Sequence, residues 1–195
     1  DEHGRRMGTL GISVETTEHV RGQRRLATRF EFEAQCLQGS SEVSGLAAAF
    51  RKLLEIQLPD LPFGMQLVRV DDRFVAGHSF GLGEVEQEQV ARSLRGDQAA
   101  YMMTAPFDAP VGMGSEAEPA RVVLRPLRLG DESESWIAWG LGTGLPYDAA
   151  YRQFIDALTV AYENAEKLRR ALERRGRVEG ERRSLLLHAP VPAAL

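Results

Sequence analysis

Reactive side chains are few in this 195-residue chain, and they are scattered. The four histidines are His3, His19, His78 and His188, and none pairs with an acid at metal-ligand spacing. His78 falls in a strand pattern, where a packed or half-exposed role is the ordinary reading. Cys36 is the single cysteine, so it forms no intramolecular disulfide. It reads as a small apolar helix residue, with a redox-sensing thiol as the rival reading. Gly140-Leu141-Gly142-Thr143-Gly144 superficially offers a phosphate cradle. A nucleotide loop needs Lys-Ser/Thr or fully spaced glycines at a strand-to-helix turn. Pro146 and Asp148 follow instead, and an acid at a helix start repels phosphate. The run reads as a strand exit.

Large soft side chains are the other candidates. Trp136 and Trp139 lie on one strand, on opposite or nearly opposite faces. Tyr101, Met102, Met103, Phe107 and Met113 border a long loop. Aromatic and Met residues of this kind line small-molecule sites, and they equally close a ligand-free core. Tyr101, Met103, Phe107, Met113, Trp136 and Trp139 are the candidate pocket lining.

These residues must be placed by helices and strands. Tyr151, Phe154, Leu158, Ala161, Ala165, Leu168 and Leu172 recur at steps of three and four, the spacing of a helix seam. The first half of that helix is greasy enough for a core, and its second half is a narrow stripe among charges. Asp148 caps its start. Gly176 and Gly180 each lower helix stability by ~1 kcal/mol relative to Ala, which predicts an end near Arg175. A second helix spans about Val20 to Gly39, with Val20, Ala27 and Ala34 on one line and Phe30 and Leu37 beside it. Gly39 stops it. A third helix follows from about Ser41 to Gln57. Met7 to Glu15 alternates and predicts a half-buried strand. Phe63–Val70 and Arg73–Phe80 predict a hairpin about Asp71-Asp72. A short helix over Glu86–Leu94, a strand over Ala99–Thr104 and a loop over Ala105–Pro119 come next. Strands over Arg121–Leu129 and Ser135–Gly142 complete an α+β order with an antiparallel sheet.

Composition narrows the function classes. Hydrophobic residues make up 43% and charged residues 27%, which permits a core and argues against wholesale disorder. A formal net charge of −4 provides no global attraction for nucleic acid or an anionic membrane. No apolar run approaches the ~20 residues that cross a bilayer. The polar start lacks a signal-peptide core. A cytoplasmic segment of something longer is expected.

The stretch Ala120–Arg128, ARVVLRPLR, followed from Ser135 by SWIAWGLGTGLPYDAAYRQFIDALTVAYENAEKLRRALERR, resembles the C-terminal half of GAF domains of multidomain bacterial sensor kinases. Leu61-Pro62-Phe63 with its apolar strand and Asp71-Asp72 is similar to the first GAF hairpin. The resemblance covers about Leu26 to Arg175. Gly8–Val20, GTLGISVETTEHV, is similar to the last strand of a PAS domain, and Ser184–Leu195, SLLLHAPVPAAL, to the opening of another.

The resemblance implies a GAF-like central antiparallel sheet flanked by helices, with long terminal connector helices. The implied division is 1–19 upstream PAS-like strand, 20–38 connector, 39–165 GAF-like core, 166–183 exit connector and 184–195 downstream PAS-like start. It implies a ligand pocket between sheet and loop, with no cofactor assigned. It implies a non-catalytic sensory relay, in a histidine kinase of a two-component system, regulating an output domain. The alternatives are a small-molecule-binding module of a transcription regulator, cyclase or phosphatase, and a structural spacer. His188 has apolar neighbours and an early Pro190, and His19 is followed by basic residues, so neither fits a phosphoacceptor. Cys36 lies outside the implied pocket, which disfavours bilin attachment, and it lacks the partner of a sulfoxide reductase. The lysines, Lys52 and Lys167, do not match a cyclic-nucleotide constellation. The expected partners are flanking and output domains, and a second copy through the seam Ala27, Phe30, Ala34, Leu158, Ala161, Ala165, Leu168 and Leu172. The small Ala161 and Ala165 would let that seam hold more than one packing.

Overall fold

The computed structural model describes residues 2–39, 45–56, 58–71, 73–93, 107–109, 120–130 and 135–187. The order is α1 (Glu2–Gly39), α2 (Gly45–Ile56), β1 (Gly64–Val70), β2 (Arg73–Phe80), α3 (Glu84–Ser93), β3 (Phe107–Ala109), β4 (Ala120–Leu127), β5 (Ser135–Leu141) and α4 (Ala149–Leu187). The five strands form one sheet in the order β2-β1-β5-β4-β3, and every neighbouring pair is antiparallel. The α+β expectation holds. The β1–β2 hairpin turns as its sequence predicts, with Val70 paired to Arg73 and Asp71 at φ 55°. A short polar residue tolerates that left-handed backbone.

Alternation along the strands gives the sheet two apolar faces. One face carries Val123, Leu127, Ile137, Trp139 and Leu141, and the three helices α1, α2 and α4 cover it. Phe50 of α2 stacks on Tyr162 of α4 at 5.0 Å and meets the edge of Trp139 at 6.0 Å. Such aromatic geometry adds about 0.5–1.5 kcal/mol per pair beyond area burial. Gly64 makes room for it, since a Cβ there would sit 2.7 Å from the Trp139 ring. The far face carries Phe63, Met65, Leu67, Val122, Leu124 and Ala138, and Val90 and Ala91 of α3 pack on it.

The first and last helices lie side by side and run in the same direction. Arg25 meets Tyr151, and eleven residues further along each helix Cys36 is close enough to Tyr162 to affect it electrostatically. Therefore α1 extends past the sheet at one end and α4 at the other.

Three expectations need correction. Residues 7–15 are helical, as part of α1, and not a strand. Their period-two pattern finds no partner strand among the described residues, whereas a helix anchored at Thr28, Phe32 and Cys36 gains one hydrogen bond per added residue. Helix α4 does not stop near Arg175 but runs through Gly176 and Gly180 to Leu187. The ion pair Arg175–Glu179, at 3.0 Å and four residues apart, offsets part of the glycine penalty. Residues 107–109, expected in a loop, pair as β3 with β4. The expected strand at 99–104 and residues 188–195 lie outside the described residues.

Candidate functional site

The expected pocket lining divides. Trp136 and Trp139 are three residues apart on β5, an odd number, so the pleat sends them to opposite faces. Trp139 is wholly buried under the helices. Trp136 packs on the far face with Ala76 and Leu82 beside the α3 cluster. Its Nε1 is buried and has no hydrogen-bond partner among the described residues. An indole N–H left this way is a donor available to an acceptor. Phe107 lies in β3, opposite Val122. Tyr101, Met102, Met103 and Met113 lie outside the described residues. Among the described residues no cluster of His, Cys, Asp or Glu could hold a metal ion.

The helix-covered face is more informative. There α4 is bonded to the sheet by side chains at successive turns. Asp156 accepts from Arg125 Nε of β4 at 2.6 Å. Thr159 Oγ1 accepts from Trp139 Nε1 of β5 at 2.9 Å and donates to the Ile155 carbonyl at 2.8 Å. Tyr162 Oη donates to Gln66 Oε1 of β1 at 2.9 Å. Glu163 accepts from the Arg128 backbone N–H at 3.0 Å, just past β4. Residues 156, 159, 162 and 163 recur at three- and four-residue steps, so they share one helix face. Burial pushes the Tyr162 hydroxyl pKa well up, so it stays a donor.

A second bonded junction holds α1. Asp60, in the α2–β1 connection, accepts from Arg25 Nε at 2.6 Å, with Arg21 Nε at 3.9 Å. The Arg25 guanidinium also lies 4.2 Å from the centre of the Tyr151 ring, a cation–π contact. Tyr151 Oη donates to the Asp60 carbonyl and accepts from Gly142 N–H. Burial pushes the Tyr151 hydroxyl up to about 12. Asp148 caps α4 as expected, accepting from Tyr151 N–H at 2.7 Å.

Further along α4, Glu166 is 3% exposed and is held by Arg169 at 2.7 Å and Arg170 at 2.8 Å. Burial raises its pKa, but the two guanidinium hydrogen bonds outweigh burial and leave it below the ordinary value. His78 of β2 is near enough to respond. Burial lowers its pKa, Glu166 opposes that and Arg169 adds to it, so the ring tends to be neutral. Burial pushes the Cys36 thiol up to about 12, which makes it a poor nucleophile at neutral pH.

The predicted seam also divides. Leu158 and Ala165 are buried in the chain's own core, so they are unavailable to a second copy. The repeat Tyr151–Leu158–Ala165 points at the sheet. Ala27, Phe30, Ala34, Leu168 and Leu172 are exposed, and Ala161 is half-buried. Gln66, Asp60 and Arg125 carry the bonds described above and went unmarked in the sequence. A Gln inside an apolar strand was the one available signal.

No family model matches this chain, and no curated protein matches it. Solved structures do match. A candidate GAF sensor protein from Burkholderia vietnamiensis aligns at TM-score 0.53 and 15% identity, covering 77% of this chain and 94% of that one. The GAF domain of a phosphoenolpyruvate-protein phosphotransferase from Acinetobacter aligns at TM-score 0.48 and 13% identity, covering 75% and 94%. The structure of fRMsr of Staphylococcus aureus aligns at TM-score 0.43 and 10% identity, covering 71% and 94%. The fold is GAF-like. Among the described residues no helix is long and apolar enough to cross a membrane.

Proposed function

We propose that this chain is a sensory relay segment of a signal-transduction protein of the histidine kinase type, in which events at the sheet are passed to an output domain along α4. The observation that carries the reading is the set of side-chain bonds from α4 to β1, β4 and β5. A packed apolar interface alone tolerates small sliding, whereas oriented bonds to three sites define one position of the helix on the sheet. Any shift of β5 relative to β1 therefore pulls on Thr159 and Tyr162 unequally. The far face, where the Trp136 N–H has no partner among the described residues, is where a stimulus would act. Helix α1, bound through Arg25 to Asp60 and Tyr151, is the matching route in.

Hydrogen–deuterium exchange tests the relay. Trp136→Ala, made on the far face, changes amide protection over 171–187 in the otherwise native chain. In a Thr159→Val, Tyr162→Phe background the same change leaves that segment unaltered. Circular dichroism confirms that each variant is folded. Protection of 171–187 that ignores Trp136→Ala in the native background sinks the relay. The kinase context is tested in a longer protein carrying this segment, where Thr159→Val with Tyr162→Phe alters autophosphorylation.

A further inference from the structure

Where α1 passes the α2–β1 connection there is a pocket of about 240 Å³. Arg24, Ala27, Thr28 and Glu31 supply its α1 wall. Steps of three, four and seven residues from Arg24 set those side chains on one face of the helix. Ile56, Leu58 and Pro59 supply the opposite wall. The lining is therefore apolar in the middle and charged toward the ends. Arg24 and Glu31 are both exposed, so a ligand can reach them. Seven residues separate them, which is about 10 Å along the helix axis. The two ends differ in charge. Next to Arg24 in the helix, Arg21 and Arg25 share the carboxylate of Asp60, at 3.9 Å and 2.6 Å. One acid does not balance those guanidinium groups, so this end is net positive. At the other end Glu31 and Glu55 of α2 share the Lys52 ammonium, at 3.7 Å and 3.5 Å. One ammonium does not balance two carboxylates, so that end is net negative.

We infer that this pocket binds a small zwitterion whose carboxylate and ammonium are held apart by a short spacer with apolar surface, the carboxylate on Arg24 and the ammonium on Glu31. A guanidinium takes a carboxylate through two parallel hydrogen bonds, and a carboxylate takes an ammonium as a point charge. The spacer lies along Ile56, Leu58 and Pro59, where its apolar surface leaves water. An α-amino acid carries both charges on one carbon and cannot reach both ends at once. A simple anion or cation answers one end and leaves the other unmatched. Two kinds of molecule supply the required chemistry, ω-amino acids and linear dipeptides. The site is distinct from the far face of the sheet, where Trp136 lies. It adjoins the tie that holds α1, because Arg24 precedes Arg25 and Pro59 precedes Asp60. An occupant would brace α1 against the α2–β1 connection. The binding does not rest on the relay reading; only the consequence for α1 does.

Titration calorimetry on the whole chain tests it, with ε-aminocaproate and glycylleucine as probes. One or both bind, and leucine, caproate and hexylamine bind roughly tenfold more weakly or worse. Arg24→Gln and Glu31→Gln each weaken the zwitterion by roughly tenfold or more. Ala27→Phe fills the pocket and abolishes binding with both charges in place. Arg73→Gln, at an exposed β2 position, leaves binding unchanged. Circular dichroism confirms that each variant is folded. Binding of ε-aminocaproate alone assigns the site to ω-amino acids, and binding of glycylleucine alone assigns it to dipeptides. The pocket is overturned if neither probe binds, if leucine binds as tightly, or if binding is indifferent to Arg24→Gln and Glu31→Gln. A bound probe that raises exchange protection over 20–31 while 171–187 ignores Trp136→Ala leaves the pocket standing and overturns the relay alone.

Discussion

Tyr162 of α4 and Gln66 of β1 are joined by a 2.9 Å hydrogen bond between two buried side chains 96 residues apart in the chain. The contact joins the last helix to a central strand of the sheet. A buried Gln is tolerated in an apolar layer only while its polar atoms are paired.

Tyr162→Phe leaves Gln66 Oε1 buried and lowers stability by about 1–3 kcal/mol. Adding Gln66→Leu removes the stranded acceptor, so the double variant recovers part of that loss. Urea unfolding of the two single variants and the double variant measures it. Additive losses would show that the bond contributes little.

Arg25→Ala strips Asp60 of its close cation and Tyr151 of its stacked guanidinium. Breaking a largely buried pair from one side destabilises by roughly 3 kcal/mol. The loss should be largest in exchange protection of α1, where Arg25 is the tie. A uniform change across all elements would argue against a local junction.

Glu166 has a folded pKa below its ordinary 4.5. As pH falls, the unfolded chain takes up the proton first, so stability is lost as pH drops through the folded value. Its contribution is complete above about 4.5. Urea midpoints followed from about pH 7 to about pH 3 therefore fall less steeply for Glu166→Gln than for the native chain. Equal slopes would place the acid sensitivity on other carboxylates.

Much of the fold was legible locally. The hairpin about Asp71, the cap at Asp148, and the strands over 120–127 and 135–141 follow from turn chemistry and period. The misreadings share a cause. Residues 7–15 fit a strand by alternation, yet a strand is stable only beside another, and that depends on distant residues. Gly176 and Gly180 lower helix propensity, but propensity is weak against propagation from an anchored helix. The Tyr151–Leu172 repeat displayed an apolar line without saying which neighbour it meets.

The amino-acid order by itself determined the hairpin, the two-faced strands and the middle of each helix, because those depend on neighbours within a few residues. It also determined that Trp136 and Trp139 part company, through the pleat alone. Only the tertiary structure decided that Leu158 and Ala165 belong inside while Phe30 and Leu37 stay outside, that α1 and α4 run parallel, and that Gln66, Thr159 and Asp60 are bonding partners. Those outcomes depend on which surfaces meet, and burial is a property of pairs of surfaces far apart in sequence.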